Sequence, residues 1–325
     1  MTEISEMTGL ELFNQAETGD QVAMGRLLSL AENRAKETLD LIQKKGVISH
    51  NCCVMGITGS PGAGKSTLIG SLLSVWKTEK KKVAVLAVDP SSPFSGGAVL
   101  GDRVRMLKHS QDENILIRSL GTRGHLGGLS ACIAETVELL IALGMDIVLV
   151  ETAGAGQIDV EVAEVTDTTI VMLVPGWGDT MQVAKAGLLE IADIYVVNKK
   201  DLPGAETAAR DIEVMLDYRQ STGWMPKVMM TKADTGEGLE ELWGGVQEHQ
   251  AYLSSTGERE TRRRHHLAYL IRRMALAQVS STWDRTMLVE LAREVMAKET
   301  DLTRATRKAL EFLREDLKAV CMGEI

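Results

Sequence analysis

The chain has 325 residues, of which 44% are hydrophobic and 25% are charged. This composition is typical of globular domains and excludes collagen-like and disordered chains. Acidic residues number 45 and basic residues 36, so the net charge is −9, which disfavours a broad nucleic-acid-binding surface. Four irregularly spaced cysteines predict neither a disulfide framework nor a zinc site.

The sequence contains no stretch that predicts a secretion signal or a membrane span. Its first residues include Glu3 and Glu6 instead of a basic region, and no uncharged apolar window reaches the length of about 18 residues that a span needs. We therefore expect a cytoplasmic protein that contacts neither membranes nor nucleic acid. The length fits about two domains, or one large α/β domain with helical additions.

The N-terminal segment predicts helix. Met24, Leu27, Leu28 and Ala31 follow the spacing i, i+3, i+4, i+7, which places apolar side chains on one helical face. We assign residues 1–48 to an N-terminal helical extension.

The middle of the chain, residues 49–253, alternates short apolar runs with longer helical stretches. Seven runs have the character of strands: 54–57, 83–88, 115–117, 147–150, 170–174, 194–197 and 228–230. Strands that are apolar on both faces predict a mostly parallel sheet with helices on both sides, hence an α/β fold. In such a sheet, ligands bind at the carboxyl ends of the strands.

A glycine-rich motif follows the first predicted strand directly. It matches the P-loop pattern G-x-x-x-x-G-K-S/T with Gly59, Ser60, Pro61, Gly62, Ala63, Gly64, Lys65, Ser66 and Thr67. The N–H groups of such a loop and the N-terminus of the next helix favour a phosphate. Lys65 would reach the β and γ phosphates, and Ser66 would offer its hydroxyl to Mg²⁺. A chance glycine-rich turn is the alternative, but the flanking strand and helix favour a P-loop nucleotide-binding fold.

Two carboxylates follow predicted strands. Asp89 ends the second run, and Glu151 ends the fourth and begins the sequence Glu151-Thr152-Ala153-Gly154. A phosphate-bound Mg²⁺ takes one or two carboxylates, and Gly154 would let its amide approach the γ-phosphate. A solvated side chain or a helix cap is the alternative for each carboxylate; in a P-loop chain we favour the metal site.

A base-recognition motif follows the sixth predicted strand. Asn198, Lys199, Lys200 and Asp201 match the pattern N-K-x-D. The Asp201 carboxylate can accept hydrogen bonds from two guanine N–H groups, and adenine offers neither. Sites that read a ligand by such polar groups discriminate by about 10⁴ to 10⁵. The motif therefore predicts GTP over ATP, the alternative being a chance surface loop.

The C-terminal region, residues 254–325, predicts helices. Its apolar residues repeat with helical spacing, as in Leu267, Leu270, Ile271 and Met274. A basic run lies at its start: Arg259, Arg262, Arg263, Arg264, His265 and His266. For this run a solvated helix start is favoured over a partner or anion site.

Several motifs together resemble the MeaB/ArgK/MMAA-type GTPases, which belong to the SIMIBI class of P-loop proteins. The resemblance spans nearly the whole chain and rests on the P-loop and on 88–93, 101–103, 123–128, 151–157, 175–179, 198–201 and 242–243. It implies a GTPase that gates adenosylcobalamin loading onto an adenosylcobalamin-dependent acyl-CoA mutase, typically methylmalonyl-CoA mutase, and that protects or reactivates this enzyme. It also implies a homodimer formed through the C-terminal helices.

The resemblance also assigns residues. Asp89, Asp102 and Glu151 become the Mg²⁺ and switch carboxylates, although spacing alone leaves Asp102 undecided. The switch segments would contain Gly154, Gln157, Gln182 and Lys185. Lys232, Ala233 and Asp234 would lie at the base, where this chain reads Thr231-Lys232-Ala233-Asp234 in place of the usual Ser-Ala pair.

Two other functions are compatible with a P-loop of this kind. A nickel metallochaperone GTPase for hydrogenase or urease would need metal ligands, and the sequence has neither a His-rich tail nor a Cys-His cluster. An ATP-dependent kinase tied to amino-acid transport is disfavoured by Asn198 and Asp201, which predict guanine.

Overall fold

The computed structural model describes residues 7–32, 52–89, 109, 112–121, 131–154, 157–176, 187–218, 223–281 and 285–322. The chain forms two compact units that divide between Leu267 and Ala268. The predicted boundaries after residues 48 and 253 stay predictions. The first of them lies outside the described residues, and the second falls within a helix.

The first unit contains a sheet and the helices around it. Its strands are β1 (Cys53–Gly59), β2 (Val83–Asp89), β3 (Ile115–Gly121), β4 (Ile147–Thr152), β5 (Thr168–Leu173), β6 (Ile194–Asn198) and β7 (Lys227–Thr231). Its helices are α1 (Gly9–Glu17), α2 (Gln21–Glu32), α3 (Lys65–Thr78), α4 (Ala131–Ala142), α5 (Gln157–Glu161), α6 (Leu188–Ile191), α7 (Ala205–Asp217) and α8 (Leu239–Thr256), followed by the start of α9 (Glu258–Ser281). A short 3₁₀ helix, Val162–Glu164, follows α5.

The seven strands in the described part of the chain are all parallel, in the order β3-β2-β4-β1-β5-β6-β7. The α/β fold and each predicted strand are confirmed. Strand β1 lies in the middle, where Gly56 pairs with Val150 of β4 and with Thr169 of β5. Since the strands are parallel, their carboxyl ends meet at one edge, and the loops after β1, β4 and β6 converge there.

The core forms on both faces of the sheet because side chains alternate along each strand. In β5, Ile170 and Met172 belong to one cluster with Trp76 of α3 and Trp243 of α8. Val171, which lies between them, belongs to the cluster on the opposite face of the sheet, which the helices α6 and α7 cover. Burial on both faces explains why the strands read as continuous apolar runs.

The N-terminal helices α1 and α2 confirm the helical spacing predicted around Met24, and residues 1–6 and 33–48 of the predicted extension lie outside the described residues. A capping box begins α1: the Glu11 N–H donates to Thr8 Oγ1, and the Thr8 N–H donates to the Glu11 carboxylate at 2.8 Å. From α2, Glu32 accepts a 2.8 Å hydrogen bond from Arg118 of β3. The pair therefore links the N-terminal helices to the edge strand of the sheet.

The basic run lies at the start of α9, and its interpretation as solvated holds for the exposed Arg264 and His265 but is wrong for Arg262 and Arg263. Arg262 makes two 2.8 Å hydrogen bonds to the carboxylate of Asp193, the residue before β6. Arg263 pairs with Glu138 of α4. Asp193 and Glu138 are buried, so the arginines compensate carboxylates that the sheet and its helices remove from water.

The second unit contains the end of α9 with α10 (Arg285–Met296) and α11 (Leu302–Met322). Leu291 packs with Ala305 and Ala309 in a small apolar cluster, which confirms the helical spacing predicted for this region. Other large apolar residues stay exposed, among them Ile271 at 66%. Among the helices of the described residues, none combines the length and apolar character that a membrane span requires.

Candidate functional site

The loop after β1 forms the centre of the site. The Lys65 ammonium group lies over this loop, donating to the carbonyl oxygens of Gly59 at 2.8 Å and Ser60 at 3.1 Å. Gly64 precedes α3 with φ = 96°, a left-handed conformation that favours glycine. A Cβ at Gly64 would also fall 2.4 Å from Nδ2 of Asn198. Both the backbone conformation and this close approach therefore favour glycine.

A cavity of about 520 Å³ opens above this loop at the carboxyl edge of the sheet. Its volume lies within the range of small-ligand pockets. The lining residues come from the loop and α3, from the ends of β2 and β4, and from the segments after β6 and β7: Pro61, Gly62, Gly64, Lys65, Ser66, Thr67, Ala87, Val88, Glu151, Thr152, Ala153, Asn198, Lys199, Asp201, Leu202, Ala233 and Asp234.

Ser66 and Glu151 meet on one side of the cavity. The Ser66 hydroxyl donates a 2.7 Å hydrogen bond to Oε1 of Glu151, although 85 residues separate them. Both side chains are buried. A hydroxyl and a carboxylate are hard oxygen donors of the kind that Mg²⁺ prefers next to phosphate oxygens, so the residues present fit a magnesium site.

Asn198 connects the loop after β1 with the segment after β7. Its Nδ2 donates to the Ala63 carbonyl oxygen at 2.8 Å, and its Oδ1 accepts from the Ala233 N–H and from Thr231 Oγ1, each at 3.1 Å. Lys199, with φ = 57°, directs its ammonium group to the carbonyl oxygen of Gly62 at 3.1 Å. The two predicted recognition segments are thus joined to the predicted phosphate loop.

Asp201 lies at the open end of the cavity, with 48% of its side chain exposed. Its Oδ2 is 3.4 Å from the ammonium group of Lys232. Ala233 and Asp234 line the same part of the cavity. The carboxylate is therefore accessible to a ligand that enters from solvent, and Lys232 holds it by an ion pair.

A buried carboxylate lies under the loop and was not predicted from the sequence. Asp159 of α5 is 3% exposed, and its Oδ1 accepts hydrogen bonds from Thr58 Oγ1, Thr152 Oγ1 and the Gly154 N–H at 2.9, 2.5 and 3.1 Å. No spacing rule marks this aspartate, because its donors come from three separate positions along 101 residues of chain. Gly154 lies directly against the loop: a Cβ added there would be 2.4 Å from the Gly59 carbonyl oxygen and 3.1 Å from Lys65 Nζ.

Comparison with known proteins identifies the family. The family model described as methylmalonyl Co-A mutase-associated GTPase MeaB matches residues 24–287, which is most of the chain. The chain belongs to the MeaB family. The likeness of its motifs to MeaB-type GTPases is therefore confirmed, and the chain is a GTPase.

Individual relatives agree with this membership in the MeaB family. A protein of Pyrococcus abyssi, named as a GTPase, is 39% identical over 90% of this chain and 92% of its own length. The GTPase ArgK of Escherichia coli is 35% identical over 78% of this chain and 80% of its own. The mouse protein named methylmalonic aciduria type A homolog, mitochondrial, is 39% identical over 64% of this chain and 52% of its own.

A solved structure shares the fold of this MeaB-family chain. The crystal structure titled LAO/AO transport system kinase superimposes with a TM-score of 0.69 and covers 95% of this chain and 99% of that one. Its sequence is 24% identical to the MeaB-family chain, so the likeness concerns the fold alone.

The structure brings most predicted site residues of the MeaB-family chain around one cavity. Gly59, Ser60 and Ala63 form its loop without lining it, and Gly154 lies behind the loop. Asp89 ends β2 at the same edge of the sheet, and Gln157 begins α5. The remaining predicted residues, Asp102, Gln182 and Lys185, lie outside the described residues. Within the described ranges, no group of three or more His, Cys, Asp or Glu side chains could hold a metal ion.

Proposed function

We propose that this GTPase is a chaperone of an adenosylcobalamin-dependent acyl-CoA mutase, methylmalonyl-CoA mutase or a relative. It would gate the loading of adenosylcobalamin and protect or reactivate the enzyme, with GTP hydrolysis timing the exchange. The observation that carries this proposal is the match over residues 24–287 to a family described as mutase-associated. The mouse relative, named for methylmalonic aciduria, supports the same association.

We propose that the loop after β1 binds the phosphates of GTP. Residues 59–67 supply amides and the N-terminus of α3, which favour anions. Lys65 would exchange its contacts with the Gly59 and Ser60 carbonyl oxygens for the β and γ phosphates. Its buried position near the cavity supports that role.

The guanine base would bind at the other end of the cavity, lined by Asn198, Lys199, Asp201, Ala233 and Asp234. The Asp201 carboxylate would accept from guanine, and Lys232 would orient it through the 3.4 Å ion pair. The hydrogen bonds of Asn198 to Ala63 and Ala233 fix the distance between the phosphate and base ends. Such fixed polar contacts give selectivity for one base.

Magnesium would be held by Ser66 and Glu151, with Asp89 and Asp102 as further carboxylates of the same site. Bound Mg²⁺ would supply positive charge that offsets the charge developing on the phosphate oxygens. The buried 2.7 Å contact between Ser66 and Glu151 supports this assignment, since it brings two oxygen ligands together at the phosphate end.

Hydrolysis would proceed by attack of water on the γ-phosphorus, with the β-phosphate oxygen as leaving group. Phosphoryl transfer demands mainly positioning and charge stabilisation from the protein. Lys65 and the loop amides would stabilise the charge on the transferring phosphoryl group. The Gly154 amide would sense that group, because Gly154 lies against the loop and Lys65.

The nucleotide state would reach the mutase through Gln157, Gln182 and Lys185. The second unit would form a homodimer, an assignment supported by the apolar residues that its helices leave exposed, such as Leu302 at 73%. Exposed apolar patches of this kind mark protein interfaces.

The proposed partnership is tested by affinity capture with purified holo-mutase and apo-mutase subunits as defined prey. The bait is the full chain loaded with a non-hydrolysable GTP analogue or with GDP, and the Lys65→Ala variant is the matched control. We expect capture of a mutase that depends on the bound nucleotide and is lost in the variant. Absence of capture with every acyl-CoA mutase offered would refute the proposed partnership, while GTP turnover by the same sample reports the GTPase separately.

A further inference from the structure

The buried carboxylate of Asp159 connects three parts of the phosphate end. Thr58 lies directly before the loop, Thr152 directly after Glu151, and Gly154 against the loop itself. All three donate to one oxygen, Oδ1 of Asp159. A charge at 3% exposure is costly unless donors compensate it, so these hydrogen bonds hold the three segments together.

Two of the three donors to Asp159 are threonine hydroxyls. Their oxygens lie 2.9 Å from each other, and both belong to strand residues that are buried by the sheet. Thr58 is fully buried, and Thr152, although it borders the cavity, is only 1% exposed. Because both hydroxyls are buried, we expect these two bonds to persist when a nucleotide binds.

The third donor, the Gly154 amide, differs from the hydroxyls because the proposed γ-phosphate would compete with Asp159 for it. Gly154 is half-buried and lies beside Lys65, the residue at the proposed γ-phosphate position. Its single N–H makes the longest of the three bonds to Asp159, at 3.1 Å. One N–H donates well to one acceptor at a time, so a phosphate oxygen that takes this amide must draw it from Asp159.

We propose that Asp159 is a positioning residue that retains the Gly154 amide in the absence of a γ-phosphate and thereby sets the preference of this GTPase for GTP over GDP. This inference rests on the proposed γ-phosphate contact of Gly154. It adds that this contact breaks the hydrogen bond from the Gly154 amide to Asp159. Asp159 lies on α5, the helix that begins with the proposed switch residue Gln157. Release of the amide by Asp159 is then the event that couples the γ-phosphate to α5.

The test measures the affinities for GDP and for a non-hydrolysable GTP analogue in the Asp159→Asn variant. A neutral acceptor binds the amide less strongly than a carboxylate, so GTP analogue binding should strengthen by about three- to tenfold relative to GDP binding. GDP lacks the γ-phosphate, and its affinity should change little. A purely structural role would weaken both affinities by the same factor.

The matched control is Asp193→Asn. Asp193 is also a buried carboxylate that accepts a backbone N–H, that of Thr169 at 2.9 Å, but it lies before β6, at the opposite edge of the sheet. The Asp193→Asn substitution should lower the free energy of unfolding and leave the ratio of GTP-analogue affinity to GDP affinity unchanged. Equal changes of both affinities in Asp159→Asn, or no change, would overturn the inference alone. Failure of the unaltered chain to bind guanine nucleotide would overturn the proposed nucleotide site as well.

A measurement on the unaltered chain serves if Asp159→Asn does not fold. With ¹⁵N-labelled glycine, the amide resonance of Gly154 should shift between the GDP and GTP-analogue states, because its acceptor changes from Asp159 to phosphate. The amide of Gly144, in a turn remote from the cavity, should not shift. Identical Gly154 resonances in the two states would contradict the exchange of acceptors.

Discussion

At the scale of single residues, the site depends on backbone positions that admit no side chain. Gly154 has φ = 81° and would place a Cβ 2.4 Å from the Gly59 carbonyl oxygen. The clash is with backbone, which cannot move aside without displacing the loop. Glycine is therefore required here by both conformation and contact.

Gly154→Ala should reduce nucleotide affinity by at least tenfold and lower the free energy of unfolding by about 1–3 kcal/mol. The reason is the combined strain and clash at the loop. Calorimetric titration with GDP and urea unfolding measure the two effects. Gly144→Ala is the control, with φ = 76° and nothing within 4 Å of the added Cβ. Gly144→Ala should lower the free energy of unfolding through backbone strain but leave nucleotide affinity unchanged. Comparable losses of affinity in both variants would contradict the contact of Gly154 with the loop.

Asp201→Ala should reduce the preference for guanine. The variant loses the acceptor for two guanine N–H groups, so GDP affinity should fall by about 10² or more while ADP affinity stays weak and unchanged. Titration of both nucleotides measures this. Glu237→Ala removes a nearby exposed carboxylate that pairs with Lys200 and should leave GDP affinity intact. Unaltered GDP binding in Asp201→Ala would refute the assignment of the base end.

At the scale of elements, the start of α9 is held to the sheet by ion pairs. Arg262 is 26% exposed and makes a bidentate contact to the buried Asp193. The same carboxylate accepts the Thr169 N–H and lies 3.4 Å from His249 Nε2. Loss of the arginine leaves this carboxylate buried without its principal charge partner.

Arg262→Gln should therefore lower the free energy of unfolding by about 3 kcal/mol, the cost of breaking a buried pair. A double-mutant cycle with Asp193→Asn should give a coupling of at least 1 kcal/mol by urea unfolding. The exposed pair Arg293–Glu290, at 71% and 57% exposure, is the control and should give about 0.5 kcal/mol or less. Equal couplings for the two pairs would mean that burial does not decide their strength.

At the scale of the whole molecule, two buried histidines make stability depend on pH. Burial lowers the pKa of His249 to about 4 and that of His266 to about 4. In the unfolded chain each takes up a proton near its ordinary value of about 6.5. Between these values the unfolded state binds more protons than the folded state, so protons favour unfolding.

The free energy of unfolding should thus fall as the pH is lowered from about 6.5 towards 4, and be fully retained above 6.5. The slope is read between pH 6.5 and 5, before most carboxylates titrate, by urea unfolding at each pH. His249→Gln, which keeps a polar group near Thr168, should give a shallower slope. An identical slope in that variant would show that His249 does not contribute.

Much of this protein was predictable from its sequence. Local patterning suffices for the seven strands and the terminal helices, because strands buried on both faces read as continuous apolar runs and helices repeat their buried face every 3.6 residues. The P-loop and the Asn198–Asp201 motif were predictable because their functional groups are contiguous in the chain. The order of strands then brings these contiguous motifs to one edge.

The remaining features depend on residues that are distant in sequence. Asp159 accepts a hydrogen bond from Thr58, 101 residues earlier. Arg262 pairs with Asp193 across 69 residues. The pattern of the basic run favoured a solvated helix start, because a run of charges does not show which of its side chains will meet buried carboxylates. The sequence by itself determined the fold class, the phosphate loop and the base motif. Only the tertiary structure decided which buried carboxylates have partners, because desolvation and pairing depend on groups that folding, not chain order, brings together.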